Sequence, residues 1–175
     1  MNRYQNPDRI QQPAFYAVEG TIVEMVPDGW RDGQFEPCQL LVTVEDESGN
    51  IVNFVVSSTT YVADYITLEE GRKAIFYYRT NAPAPLIFPP RYTAAVVVPE
   101  QIRGQMVNVG YYNDALINEE MTLQLKLDGS VKLRTANNQK YMGSPAGKEL
   151  VVFYERSTRS IPAQTTPVKV VVLCS

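Results

Sequence analysis

Histidine is absent from this chain. That removes the usual general base near neutral pH, the commonest transition-metal ligand and the simplest pH switch, so most hydrolase mechanisms are disfavoured. Cysteine is nearly absent too. Cys38 and Cys174 stand far apart, and neither a CxxC redox site nor a zinc knuckle can be written from them. Two free, partly buried thiols are expected, with a disulfide as the lesser alternative because its Cα atoms must come within about 7 Å. Long apolar runs are missing as well. Ala94–Val98 falls far short of the roughly 20 residues a membrane-crossing helix needs, so no membrane span is expected. Met1–Pro7 lacks the apolar stretch of a secretory signal, which favours the cytoplasm.

What is present suits a folded domain. Of 175 residues, 45% are hydrophobic and 20% charged, too apolar for a disordered chain. The net charge is −3, but it is unevenly divided. Residues 1–99 hold 7 Lys+Arg against 12 Asp+Glu, net −5, while residues 100–175 hold 9 against 7, net +2.

Periodicity points to strands almost everywhere. In Met121–Leu127 apolar and polar residues alternate, Asp128-Gly129-Ser130 follows, and Val131–Thr135 alternates again, which predicts a hairpin with a half-buried face. Leu40–Glu45 and Ile51–Ser57 predict a second hairpin, joined through Glu47-Ser48-Gly49-Asn50. Further strands are expected at Tyr16–Val26, Lys73–Arg79, Tyr92–Val98, Met106–Tyr112, Glu149–Arg156 and Val168–Cys174, each rich in β-branched or aromatic residues. One short helix is expected over Thr59–Leu68, ending at Gly71.

The chain also repeats itself. Gly71–Tyr78 aligns with Gly147–Tyr154, a turn glycine followed by the same kind of strand. A proline-containing loop follows each, and then Tyr92–Val98 parallels Val168–Val172. The expected organisation is a polar tail over residues 1–13, a first unit over 14–99 and a second over 100–175. Five strands per unit, three in a meander and two after a short connection, is the order of an oligonucleotide/oligosaccharide-binding (OB) barrel, with an SH3-like barrel as runner-up. The expected fold class is therefore all-β: two tandem five-stranded OB-like barrels related by internal duplication, with at most one short helix. Units of this size bury a modest share of their surface, so the two are expected to share an interface.

The pattern Val151-Val152-Phe153-Tyr154-Glu155-Arg156-Ser157-Thr158-Arg159-Ser160-Ile161-Pro162-Ala163-Gln164, followed by Val170–Leu173, resembles a module of uncharacterised Gram-positive bacterial proteins. Some of these carry it beside copper-amine-oxidase N-terminal-like domains. The likeness covers about the last third of the chain, and the first unit through its internal match. It implies a small β-barrel, no known reaction and no functional residues.

Three places could carry chemistry or binding. The loop Asp28–Glu36 offers the carboxylates of Asp28, Asp32 and Glu36 to an oxygen-loving cation, although its spacing is not that of an EF-hand and a plain acidic surface turn explains it as well. Trp30 and Phe35 in the same loop border the face where OB barrels stack rings on bases or sugars; the alternative is that they cover the barrel end. In the second unit, alternation puts Lys126, Lys132 and Arg134 on the polar face of the expected hairpin, with Tyr111 and Tyr112 as stacking partners for a polyanion. An isoelectric point near 5.1 argues against a dedicated nucleic-acid binder. The loop Asn81–Pro90 sets Leu86, Ile87 and Phe88 among four prolines, either to cover the partner barrel or to dock another protein.

The expected function is a non-catalytic binding or structural interaction module for a protein or oligosaccharide, with no cofactor, no metal and no membrane partner. One alternative is single-stranded nucleic-acid or oligosaccharide binding through the second barrel. The other is a cation-dependent enzyme using the loop carboxylates.

Overall fold

The computed structural model describes residues 12–102 and 104–174. Most of the tail expected over residues 1–13 lies outside them. The chain is all-β, as its alternating apolar pattern predicts, and among the described residues helix is confined to a single 3-10 turn at Ala63–Tyr65. The helix expected over Thr59–Leu68 is thus reduced to this turn, preceded by a two-residue strand. Asp64 and Tyr65 adopt left-handed φ there, which stops a helix from propagating.

The front strands are β1 (Phe15–Arg31), β2 (Gln34–Glu45), β3 (Ile51–Val56), β4 (Tyr61–Val62), β5 (Lys73–Arg79), β6 (Arg91–Thr93) and β7 (Val96–Pro99). They form a seven-stranded sheet in the order β4-β7-β5-β1-β2-β3-β6. Strands β6 and β7 are two pieces of one extended run. Its first piece lies parallel to β3, with Tyr92 opposite Phe54; its second lies antiparallel to β5, with Val97 opposite Phe76. The run therefore pairs with β3 on one side of the sheet and with β5 on the other.

The rear strands are β8 (Met106–Tyr112), β9 (Leu123–Leu125), β10 (Lys132–Thr135), β11 (Lys148–Tyr154), β12 (Ala163–Thr165) and β13 (Lys169–Leu173). Four of them form a sheet in the order β10-β13-β11-β8, and β9 pairs with β12. The pairings follow those in front one for one. Antiparallel β8·β11 and β11·β13 correspond to β1·β5 and β5·β7, and parallel β10·β13 and β9·β12 correspond to β4·β7 and β3·β6. Where β2 would lie there are isolated bridges, Tyr112 to Asn118 and Ile117 to Gln124. The turn glycines match too: Gly71 N–H donates to the Ile22 carbonyl at 2.8 Å and Gly147 N–H to that of Tyr112 at 3.0 Å.

The hairpin expected across Met121–Thr135 does not form. Asp128-Gly129-Ser130 is a turn, but the strands it joins diverge, β9 to β12 and β10 to β13. Both parallel pairings bring together segments far apart in sequence, which local alternation cannot encode.

Three apolar clusters hold the sheets together. The first, around Phe54, Phe76, Val42 and Val44, belongs to β1–β7; the third, around Tyr112, Leu150, Val152 and Val170, belongs to β8–β13. The second is shared: Tyr61, Val96 and Val98 from the front pack with Val151, Phe153 and Val171 from the rear. Each side chain of this size stabilises the fold by about 1.5–3 kcal/mol when fully buried. Polar links flank the shared cluster. Lys169 Nζ donates to Asp64 Oδ1 at 3.0 Å, the Tyr65 hydroxyl donates to the Ala136 carbonyl at 2.8 Å, and Arg79 pairs with Glu149. The clusters follow one another along the molecule, so the sheets stack in a serial, solenoid-like arrangement rather than as two separate five-stranded sheets. No helix among the described residues is long and apolar enough to cross a membrane.

Candidate functional site

Strands β1 and β2 outrun their neighbours. Strand β5 accompanies β1 only over Phe15–Thr21, and β3 accompanies β2 only over Leu40–Glu45. Beyond those limits the two continue as a bare ribbon, closed by the two-residue turn Asp32-Gly33, whose φ values of 51° and 76° are those of a type I′ turn. Past an irregularity in register after Asp28, the ribbon sets Trp30 opposite Phe35, with ring centroids 5.5 Å apart. Neither ring packs over the end of the sheet, the alternative expected for them. Trp30 is 74% exposed and Phe35 is exposed beside it. Such a cross-strand aromatic pair stiffens the tip by roughly 0.2–1 kcal/mol.

The stretch Asp28–Glu36, expected as a loop, is mostly strand, and its carboxylates do not form a cage. Asp28 Oδ2 accepts from Gln39 Nε2 at 2.9 Å and from Arg91 Nη2 at 2.8 Å. Its charge is already matched, which removes it from a cation site with Asp32 and Glu36.

Arg91 follows directly on the proline-rich segment Asn81–Pro90, so the Asp28 contact ties the foot of the ribbon to the end of that loop. Leu86, Ile87 and Phe88 stand in solvent, Phe88 at 93% exposure, and do not cover the rear half. The sequence reading missed the aromatic column beneath. Phe76 stacks on Phe54 at 4.8 Å, Phe54 touches Tyr78 and Tyr92, and Tyr78 lies flat on Tyr92 at 3.9 Å with Tyr16 alongside. Burial, then the neighbouring phenols of Tyr92 and Tyr16, push the Tyr78 hydroxyl up to about 12. These rings come from β1, β3, β5 and β6, and the alternation within each strand was the signal that could have placed them on one side.

The rear-half residues are less united than expected. Tyr112 is fully buried in the third cluster, its hydroxyl donating to Asn108 Oδ1 at 2.6 Å, and burial pushes that hydroxyl well above the usual phenol range. It is a core residue and no stacking partner. Tyr111, on the other face of β8, lines a shallow groove with Pro13, Ile117, Glu119 and Met121. Lys126 lies just past β9, its backbone N–H bonded to the Thr165 carbonyl at 2.8 Å. Since β9 and β10 do not pair, Lys126 is not on a shared hairpin face with Lys132 and Arg134. The last two stay together on β10 and gain a neighbour not foreseen. Lys140 bridges to Arg134 in a small hairpin whose Leu133 and Tyr141 turn into the third cluster. Among the described residues Lys132, Arg134 and Lys140 make no ion pair. Cationic residues directly opposite one another repel, so the small hairpin carries an uncompensated positive face.

No protein-family model matches the chain, and no curated protein matches it either.

Proposed function

We propose that this protein is a non-catalytic interaction module whose working surface is the exposed end of its front half. One observation carries the reading: Trp30, Phe35, Leu86, Ile87 and Phe88 stand in solvent on two supports joined by the Asp28–Arg91 pair. Large apolar side chains standing in solvent favour contact with a protein or an oligosaccharide over water. A proline-rich segment and a closed ribbon lose little conformational freedom on binding, which favours affinity.

The same proposal takes each half as an OB-like barrel and the two as copies of one ancestral unit, in keeping with the resemblance to the Gram-positive module. Its support is the circuit of pairings β1-β2-β3, then β6 and β7, then β5 back to β1, and the return of four of the front pairings in the rear half, where isolated bridges stand in place of β2. In such a barrel the loops after the first and fourth strands flank the ligand face. Here they are the ribbon tip and the proline loop.

Trp30 is the one tryptophan of the chain, so its emission reads this surface alone. The protein is titrated with cello- and chito-oligosaccharides, with single-stranded DNA, and with itself by raising its concentration. The expected result is a Trp30 shift with one of them, removed by Phe88→Ala. Binding that leaves Trp30 silent, turnover of a probe, or no response to any of them overturns the reading.

A second reading, single-stranded nucleic acid on the rear half, draws on the unpaired Lys132, Arg134 and Lys140. It requires affinity for DNA that falls by roughly 0.7 log units per phosphate contact for each tenfold rise in salt, and that survives Phe88→Ala.

A further inference from the structure

We infer that the partner of the ribbon tip is a second copy of this chain, docked head to tail on the basic hairpin of β10. The inference rests on the interaction-module reading above and names its partner.

Charge complementarity carries it. From Glu19 to Glu47, the ribbon and its base, there are 8 Asp+Glu against 1 Arg; from residue 121 to the end there are 8 Lys+Arg against 3 Asp+Glu. On the ribbon Glu24, Asp32 and Glu36 make no ion pair among the described residues, and neither do Lys132, Arg134 and Lys140 on the small hairpin. The unmatched charge of the ribbon is therefore mainly negative, with Arg31 its one cation, and that of the small hairpin is positive.

The apolar groups match as well. Trp30 and Phe35 project from between those carboxylates, and Met142, 88% exposed, stands next to the basic hairpin beyond Tyr141, whose N–H bonds the Leu133 carbonyl at 3.1 Å. An indole seated between a methionine thioether and lysine or arginine side chains gains sulfur–aromatic and cation–π contacts. Two ribbons facing each other would set mostly acid against acid, which favours a heterologous contact over a symmetric ribbon-to-ribbon dimer. Every copy then keeps one free tip and one free hairpin, and the assembly grows as a chain unless its rotation closes a ring.

The test is sedimentation of the full chain over a concentration series, at about 0.05 M and about 0.5 M salt, across which screening tightens strongly. Wild-type protein is expected to form species larger than dimers at low salt and to dissociate at high salt. K132E/R134E and W30A/E36K are each expected to weaken association at least about tenfold, to monomer. Mixed together, these two variants retain one intact contact and should associate with each other although neither associates alone. Circular dichroism of both variants checks that they fold; a variant that does not is replaced by K140E or F35A. A wild-type protein that stays monomeric throughout, or a K132E/R134E variant that still dimerises, overturns the inference. A monomer whose Trp30 responds to an oligosaccharide leaves the interaction-module reading standing without this partner, whereas a monomer whose Trp30 responds to no probe removes both. A wild type whose association depends on added single-stranded DNA assigns the basic hairpin to nucleic acid and overturns it as well.

Discussion

Arg91 donates to Asp28 Oδ2 at 2.8 Å, and through that one pair the end of the proline loop grips the foot of the ribbon. Both side chains are partly open to water, so the pair contributes about 1 kcal/mol after screening. Its larger effect is positional: it fixes the foot of the ribbon against the start of β6. Asp28→Asn should lower stability by about that amount in urea titration. It should also lower the fluorescence anisotropy of Trp30; an unchanged anisotropy would show that the ribbon holds its direction without the loop.

Gly71 and Gly147 occupy matching turns at φ +85° and +70°. A side chain at either position is held in the left-handed region, which costs roughly 1 kcal/mol. Gly71→Ala is expected to cost this strain alone and Gly147→Ala somewhat more, because its Cβ would lie 3.2 Å from Asp114 Oδ1, and the double variant nearly their sum because the turns lie in different halves. Thermal unfolding of the three variants checks this.

Alkali should unfold the protein by a route the tyrosines define. Tyr78 is raised from 10.0 to about 12, and burial raises Tyr61 and Tyr112 further. A phenol whose folded pKa exceeds its unfolded value stabilises the folded state fully below the unfolded value and loses that contribution as pH climbs toward the folded one. Stability should be level up to pH 10 and fall between pH 10 and about 12, with tyrosinate absorbance rising together with the loss of structure. Tyr78→Phe should flatten part of that fall.

Cys38 and Cys174 are free and exposed, against the expectation of partly buried thiols. A thiol reagent should therefore titrate two groups per chain without denaturant. Fewer than two would mean that one is covered in solution, and Cys38 on the ribbon is the one that self-association would shield.

Much of the fold was legible. Lys73–Arg79 and Met106–Tyr112 form strands with the limits their β-branched and aromatic content suggested, and the hairpin of β2 and β3 follows from its turn residues. The choice of partner strand was not legible. Leu123 and Leu125 do face inward as alternation requires, yet they pair with Ala163–Thr165 across a long loop, a choice made by the third apolar cluster rather than by the adjacent turn. Alternation did contain the answer for Tyr111 and Tyr112, since neighbours on a strand face opposite ways and only one of them could be exposed. Leu86, Ile87 and Phe88 were recognisable as bulky residues needing cover; that the described residues leave them exposed is visible only in three dimensions.

The apolar layer shared by Val96, Val98, Val151, Phe153 and Val171 makes the two halves mutually dependent. Severed at the link between them, each fragment would carry a raw greasy seam with nothing to seal it, and would clump or seek out its missing complement. Two fragments made separately and then combined should for that reason knit back into one particle.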